Sequence, residues 1–83
     1  MIRYMSNFNI RGSMAYQIIK EKKVIHKFEL MEYLKFSVST FEKFKPWFLF
    51  KYGVPNESGY VKYNRTSQEF VLSQTEAPID QNF

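Results

Sequence analysis

Between Phe28 and Gly53 the chain reads FELMEYLKFSVSTFEKFKPWFLFKYG, and no other stretch limits its fold as much. On a helix from about Lys27 to Leu34, the i, i+3 and i+4 relations of Phe28, Leu30, Met31 and Leu34 give one inward face and leave Glu29, Glu32 and Lys35 outside. Lys35-Phe36-Ser37 is too short for a wandering loop, so a second helix must follow a sharp turn. Ser37 or Ser39 can cap it, and Ser39-Thr40-Phe41-Glu42 has the form of a capping box. Phe41, Phe44 and Phe48, at i, i+3 and i+7, form its core stripe. Pro46 lacks an N–H and meets the carbonyl four residues back, so this helix is expected to kink or stop near Lys45 and resume from Trp47 to Tyr52. Gly53 is its natural C-terminal stop.

The 83 residues give room for one domain. A chain of this size buries only about 60% of the surface it exposes when unfolded, so its core must be dense. Nine Phe, six Tyr and one Trp supply that density. With no cysteine, disulfide staples and thiolate zinc sites are excluded, and a reducing, intracellular setting fits. The net charge of +4 favours polyanions only mildly; its distribution says more. From Lys20 to Arg65 there are ten basic residues against five acidic ones, whereas the segment from Ser73 onward carries Glu76 and Asp80 with no basic residue. No apolar run approaches the roughly 20 residues that span a bilayer, and no signal-peptide core is present at the N-terminus. The expectation is a soluble, unprocessed, cytoplasmic protein with no membrane partner.

Around the central segment the chain divides simply. Residues 1–12 carry Ile2, Tyr4, Phe8 and Ile10 at loosely alternating positions and reach Gly12, which reads as an N-terminal arm or extra strand ending at a break. The structural domain is expected over residues 13–72. Its first helix runs from Met14 to about Lys23, capped by Ser13, with Ala15, Ile18 and Ile19 on the apolar face. Val24 and Ile25, both β-branched, suit a short strand. A hairpin closes the domain, with strands Tyr60 to Tyr63 and Glu69 to Leu72 around the polar turn Asn64-Arg65-Thr66-Ser67-Gln68. Residues 73–83 are too polar to offset their ordering entropy and are expected to be a disordered tail.

The pattern Leu30-Met31-x-x-Leu34-x-Phe36-Ser37-x-Ser39-Thr40-Phe41-x-x-Phe44, with a helix before it and a basic-tipped hairpin after it, resembles a winged helix-turn-helix domain of the small stand-alone prokaryotic, archaeal or viral type. The family commonly has a small residue where this chain has Met31 and a glycine where it has Lys35. A left-handed Lys35 would carry strain of about 1 kcal/mol. The resemblance implies an α+β fold, a three-helix core with a C-terminal β-hairpin wing, in which the Val24-Ile25 strand pairs with the hairpin. It implies double-stranded DNA as partner, with helix 3 in the major groove and the wing on the backbone or minor groove.

On that pattern Ser37, Ser39, Thr40 and Lys43 reach base edges or phosphates, and Lys35, Lys45, Lys62 and Arg65 contact the backbone. Lys20, Lys22, Lys23 and Lys27 are more distant candidates. The implied activity is that of a transcriptional regulator acting as a homodimer, with Trp47 and Phe50 at a dimer or partner interface. The alternative is a winged-helix protein-interaction module docking through Trp47 to Tyr52.

Catalysis has little to build on. His26 is the only histidine, and the glycines at 12, 53 and 59 are too scattered for a phosphate loop. No catalytic residue, metal, cofactor or small-molecule substrate is expected.

Overall fold

The first helix is much longer than its capping signals predict. A computed structural model describes residues 2–74, with side chains from residue 7 onward. In chain order it holds α1 (Ile2–Lys22), β1 (Val24–His26), α2 (Lys27–Leu34), α3 (Val38–Tyr52), β2 (Tyr60–Asn64) and β3 (Glu69–Ser73). The stretch expected as an arm or extra strand, residues 1–12, is thus helical from Ile2 onward, and Ser13 is an exposed mid-helix residue instead of a cap. Buried Phe8, Gly12, Ala15 and Ile19 recur at i, i+4, i+7 and i+11, which makes one continuous inward face.

Gly12 lies at the centre of that face. A β-carbon there would stand 2.8 Å from Trp47 Cζ3 and 3.2 Å from Tyr52 Cε2. The glycine that reads as a break is therefore the notch through which α3 passes close to α1. Its helix-propensity cost of about 1 kcal/mol is offset by the aromatic packing it admits. At its end α1 turns through left-handed Lys23, φ 73°, whose N–H donates to the Ile19 carbonyl at 2.7 Å.

β1 leads straight into α2, and His26 caps it: its Nδ1 accepts the Phe28 N–H at 3.2 Å. Leu30, Met31 and Leu34 are buried as expected. Phe28 is not: it is 55% exposed, because it sits in the first turn beside the sheet, where its ring meets His26 at 5.3 Å instead of the core. Lys35 is left-handed, φ 60° and ψ 39°. Its N–H donates to the Glu32 carbonyl and that of Phe36 to the Met31 carbonyl, at 3.3 and 3.2 Å, the paired bonds of a Schellman motif.

α3 then runs from Val38 to Tyr52 as one helix with Pro46 inside it, so of the kink or stop expected near Lys45 the stop does not occur. Pro46 and Glu42 are both exposed, so the Glu42 carbonyl that loses its helical donor lies on the solvent side of the helix. Gly53 ends the helix, its N–H donating to the Leu49 carbonyl at 2.8 Å.

The sheet has the order β1-β3-β2, antiparallel throughout. Each hairpin strand is one residue longer than expected. Ile25, Val61 and Phe70 face the helices and are buried, whereas the cross-strand row Val24, Val71 and Lys62 lies on the opposite face. Phe41 and Phe48 meet Phe70 edge-on at 6.0 and 6.1 Å, joining α3 to the sheet. Tyr16 ties α1 to the α3–β2 connection, stacking on Tyr52 at 4.9 Å and donating its hydroxyl to the Gly59 carbonyl at 2.7 Å.

The result is a small α+β domain of three helices and a three-stranded antiparallel sheet. Among the described residues no polar or charged side chain is buried, and no helix is long and apolar enough to cross a membrane. Of the expected tail, Ser73 belongs to β3, and residues 75–83 lie outside the described part of the chain.

Candidate functional site

With Phe41, Phe44 and Phe48 fully buried, helical periodicity turns Ser39, Glu42, Lys43, Pro46 and Phe50 outward on α3. This face has two halves. Its N-terminal half is polar, and its C-terminal half ends at Phe50, 84% exposed. The helix carries three lysines, Lys43, Lys45 and Lys51, against the single carboxylate of Glu42.

The start of α3 is built on hydroxyls. Ser37 is the cap: its Oγ accepts the Thr40 N–H at 3.3 Å and donates to Thr40 Oγ1 at 3.0 Å, with Ser39 Oγ 3.4 Å away. Of the two expected caps it is Ser37 that serves, and Ser39 and Glu42 form no capping box, because the Schellman turn at Lys35 brings Ser37 to the helix entrance. Ser37 and Thr40 satisfy one another, and Thr40 is half-buried. Ser39 and Lys43 are the exposed polar pair of the outward face.

The remaining cations fall into distinct settings. Lys45 is half-buried, with its Nζ 4.6 Å from the centre of the Tyr63 ring, and so fastens α3 to β2. Arg65 stands exposed on the hairpin turn, where Asn64 Oδ1 accepts the N–H groups of Thr66 and Ser67 at 2.9 and 3.2 Å. Lys62 projects from the sheet face turned away from the helices, so the structure does not bring it together with Lys43. Among the described residues, Lys35, Lys43, Lys62 and Arg65 form no ion pair and no ring contact, and all four are exposed.

By contrast Lys20 lies over Tyr16 at 5.2 Å. Lys22 lies over Tyr33 at 5.7 Å and pairs with Glu29 at 3.7 Å, an exposed pair that adds little stability.

Lys27, which the sequence places among the distant candidates, is brought to the hairpin turn. Its N–H donates to the Gln68 carbonyl at 2.9 Å, two positions after Thr66, so the start of α2 abuts the segment bearing Arg65. The signal for this was the strand register: pairing His26 with Glu69 in antiparallel sense sets Lys27, which follows His26, against Gln68, which precedes Glu69 at the end of the turn.

The two aromatic candidates separate. Trp47 is half-buried, contacting Phe8 and Phe44 at ring distances of 5.6 and 5.8 Å over the Gly12 notch, whereas Phe50 faces outward. Compared with known proteins, the chain matches no family model, no curated protein and no solved structure.

Proposed function

We propose that this domain is a winged helix-turn-helix that binds duplex DNA within the cell, without catalysing a reaction, as a homodimeric transcriptional regulator. The observation that carries the reading is the outward N-terminal half of α3: exposed Ser39 and Lys43, set off by the rigid Lys35 turn and joined to the hairpin through the Lys45–Tyr63 contact. A helix of this width fits the major groove, where Lys43 donates to guanine or phosphate and Ser39 to either. Lys35 and Lys27 flank that helix as phosphate contacts, and Arg65 meets the backbone or the narrow minor groove. Lys62, on the far sheet face, adds to the positive field around the hairpin and makes no contact shared with α3.

The test is binding of the full chain to labelled duplexes across a salt series. Each neutralised phosphate contributes about −0.9 to the slope of log K against log salt, so four contacts give roughly −3.6. Lys43→Glu with Arg65→Glu should weaken binding by at least about tenfold and flatten the slope by about two units. No binding at low salt would sink the proposal.

A second reading rests on Phe50, whose 84% exposure on the same outward face suits docking to another protein. It is favoured if Lys43→Glu with Arg65→Glu leaves the partner bound while Phe50→Ala releases it.

A further inference from the structure

We infer that Arg11 is a further DNA contact, a guanidinium that grips a backbone phosphate beside the one met by Lys35. The inference rests on the DNA reading and extends it to the middle of α1. Arg11 is half-buried on the flank of that helix, next to buried Phe8 and Gly12. Its Cζ lies 5.8 Å from the centre of the ring of Phe36, the residue between Lys35 and the Ser37 cap. That ring is itself held in place, edge-on to Phe8 at 6.0 Å and against Phe44 at 5.0 Å. An arginine carried mid-helix and laid over a fixed ring loses little further freedom when it binds.

What the guanidinium lacks is an acceptor. Its Nε is sealed from solvent and has no hydrogen-bond partner. Among the described residues no carboxylate pairs with it, the one ion pair being Lys22 with Glu29. Glu21, the only acid on α1, is ten positions away, about 15 Å along the helix. Glu29 and Glu32 lie with Lys35 and Phe36 around a depression on the α2 side, which Arg11 does not line. An apolar side chain over Phe36 would avoid the cost of the unmet Nε. Only Nε is sealed, so the two terminal amino groups are open, and theirs is the edge with which arginine takes two oxygens of one phosphate.

The occupant follows from what adjoins the ring. Lys35, one residue before Phe36, is exposed and forms no ion pair, and the hydroxyls of Ser37 and Ser39 begin one residue after it. Two cations without counter-ions thus flank Phe36 at the entrance of α3. A row of neighbouring anions, and not a single carboxylate, satisfies both, and the phosphates of one DNA strand supply such a row.

Duplex binding by the full chain across a salt series separates this contact from the reading it rests on. With Arg11 the neutralised phosphates number five, and the slope of log K against log salt becomes about −4.5 in place of roughly −3.6. Arg11→Met, which keeps an apolar cover on Phe36, should leave the far-UV spectrum and thermal melt close to wild type. It should flatten the slope by about 0.9 and weaken binding about tenfold at low salt. Arg11→Lys should keep the slope but recover only part of the affinity, because an ammonium lacks the fork. The Arg11 Nε–H resonance, identified by its loss in Arg11→Lys and slowed in exchange by burial, reports on the site directly. It should shift on addition of duplex and stay in place in millimolar inorganic phosphate.

Wild-type binding with Arg11→Met unchanged in affinity and slope overturns the inference and leaves the DNA reading standing. So does a resonance shift that inorganic phosphate alone saturates, which would make this a site for a free oxyanion. Failure of the wild type to bind any duplex at low salt removes the DNA reading itself, and this contact with it.

Discussion

At the turn between α2 and α3 a lysine occupies a left-handed position, and at the crossing of α1 over α3 a glycine occupies a helical one. Local preference alone would favour the reverse, since glycine relieves a positive φ and weakens a helix. The two places are held by different forces. Around Lys35 the constraint is backbone geometry: two carbonyls at the end of α2 are satisfied only if the chain turns there, whatever side chain is attached. Around Gly12 the constraint is contact with Trp47 and Tyr52, rings far along the chain that leave no space for a β-carbon. A turn can absorb a poor residue for about 1 kcal/mol, but a close-packed crossing cannot absorb even one methyl without moving a ring.

The largest effect is expected at the crossing. Trp47→Ala should lower the unfolding free energy by about 3 kcal/mol, the low end for aromatic truncation because the ring is only half-buried. Gly12→Ala should cost about 1–3 kcal/mol despite alanine's helix preference. Combined with Trp47→Phe it should cost less than the sum, since a smaller ring vacates the clash. Additive costs in denaturant melts would show that the crossing does not depend on the ring.

Smaller is the cap of α2, where His26→Ala should cost about 1 kcal/mol and His26→Asn close to nothing, because asparagine can also accept from the helix start. Smallest, and opposite in sign, Lys35→Gly should stabilise the fold by about 0.5–1 kcal/mol while flattening the salt slope of DNA binding by about 0.9. Destabilisation by that substitution would mean that the lysine side chain itself holds the turn, and the contrast with Gly12 would fail.

The legible parts of the candidate site were those set by near neighbours. The hydroxyl cluster at the start of α3 and the exposed Arg65 turn follow from residues within a few positions of each other. The choice of Ser37 over Ser39 did not, because the Schellman turn fixes where α3 begins. Lys27 reached the hairpin turn, and Lys62 the far sheet face, only through strand register. Phe28 is exposed and Trp47 half-buried because of what packs beside each. A helical pattern assigns a side chain to a face, and the neighbouring elements decide whether that face is covered.

What the amino-acid sequence determined alone is the order of short-range elements after Val24: a strand, two helices around a tight turn, and a hairpin with a polar tip. Each is specified by periodicity, capping groups and turn residues that act within one or two helical turns. The tertiary structure alone decided the extent of α1, the continuity of α3 through Pro46 and the meaning of Gly12. In each of these cases the local signal was a break, and burial of aromatic surface between distant segments outweighed it.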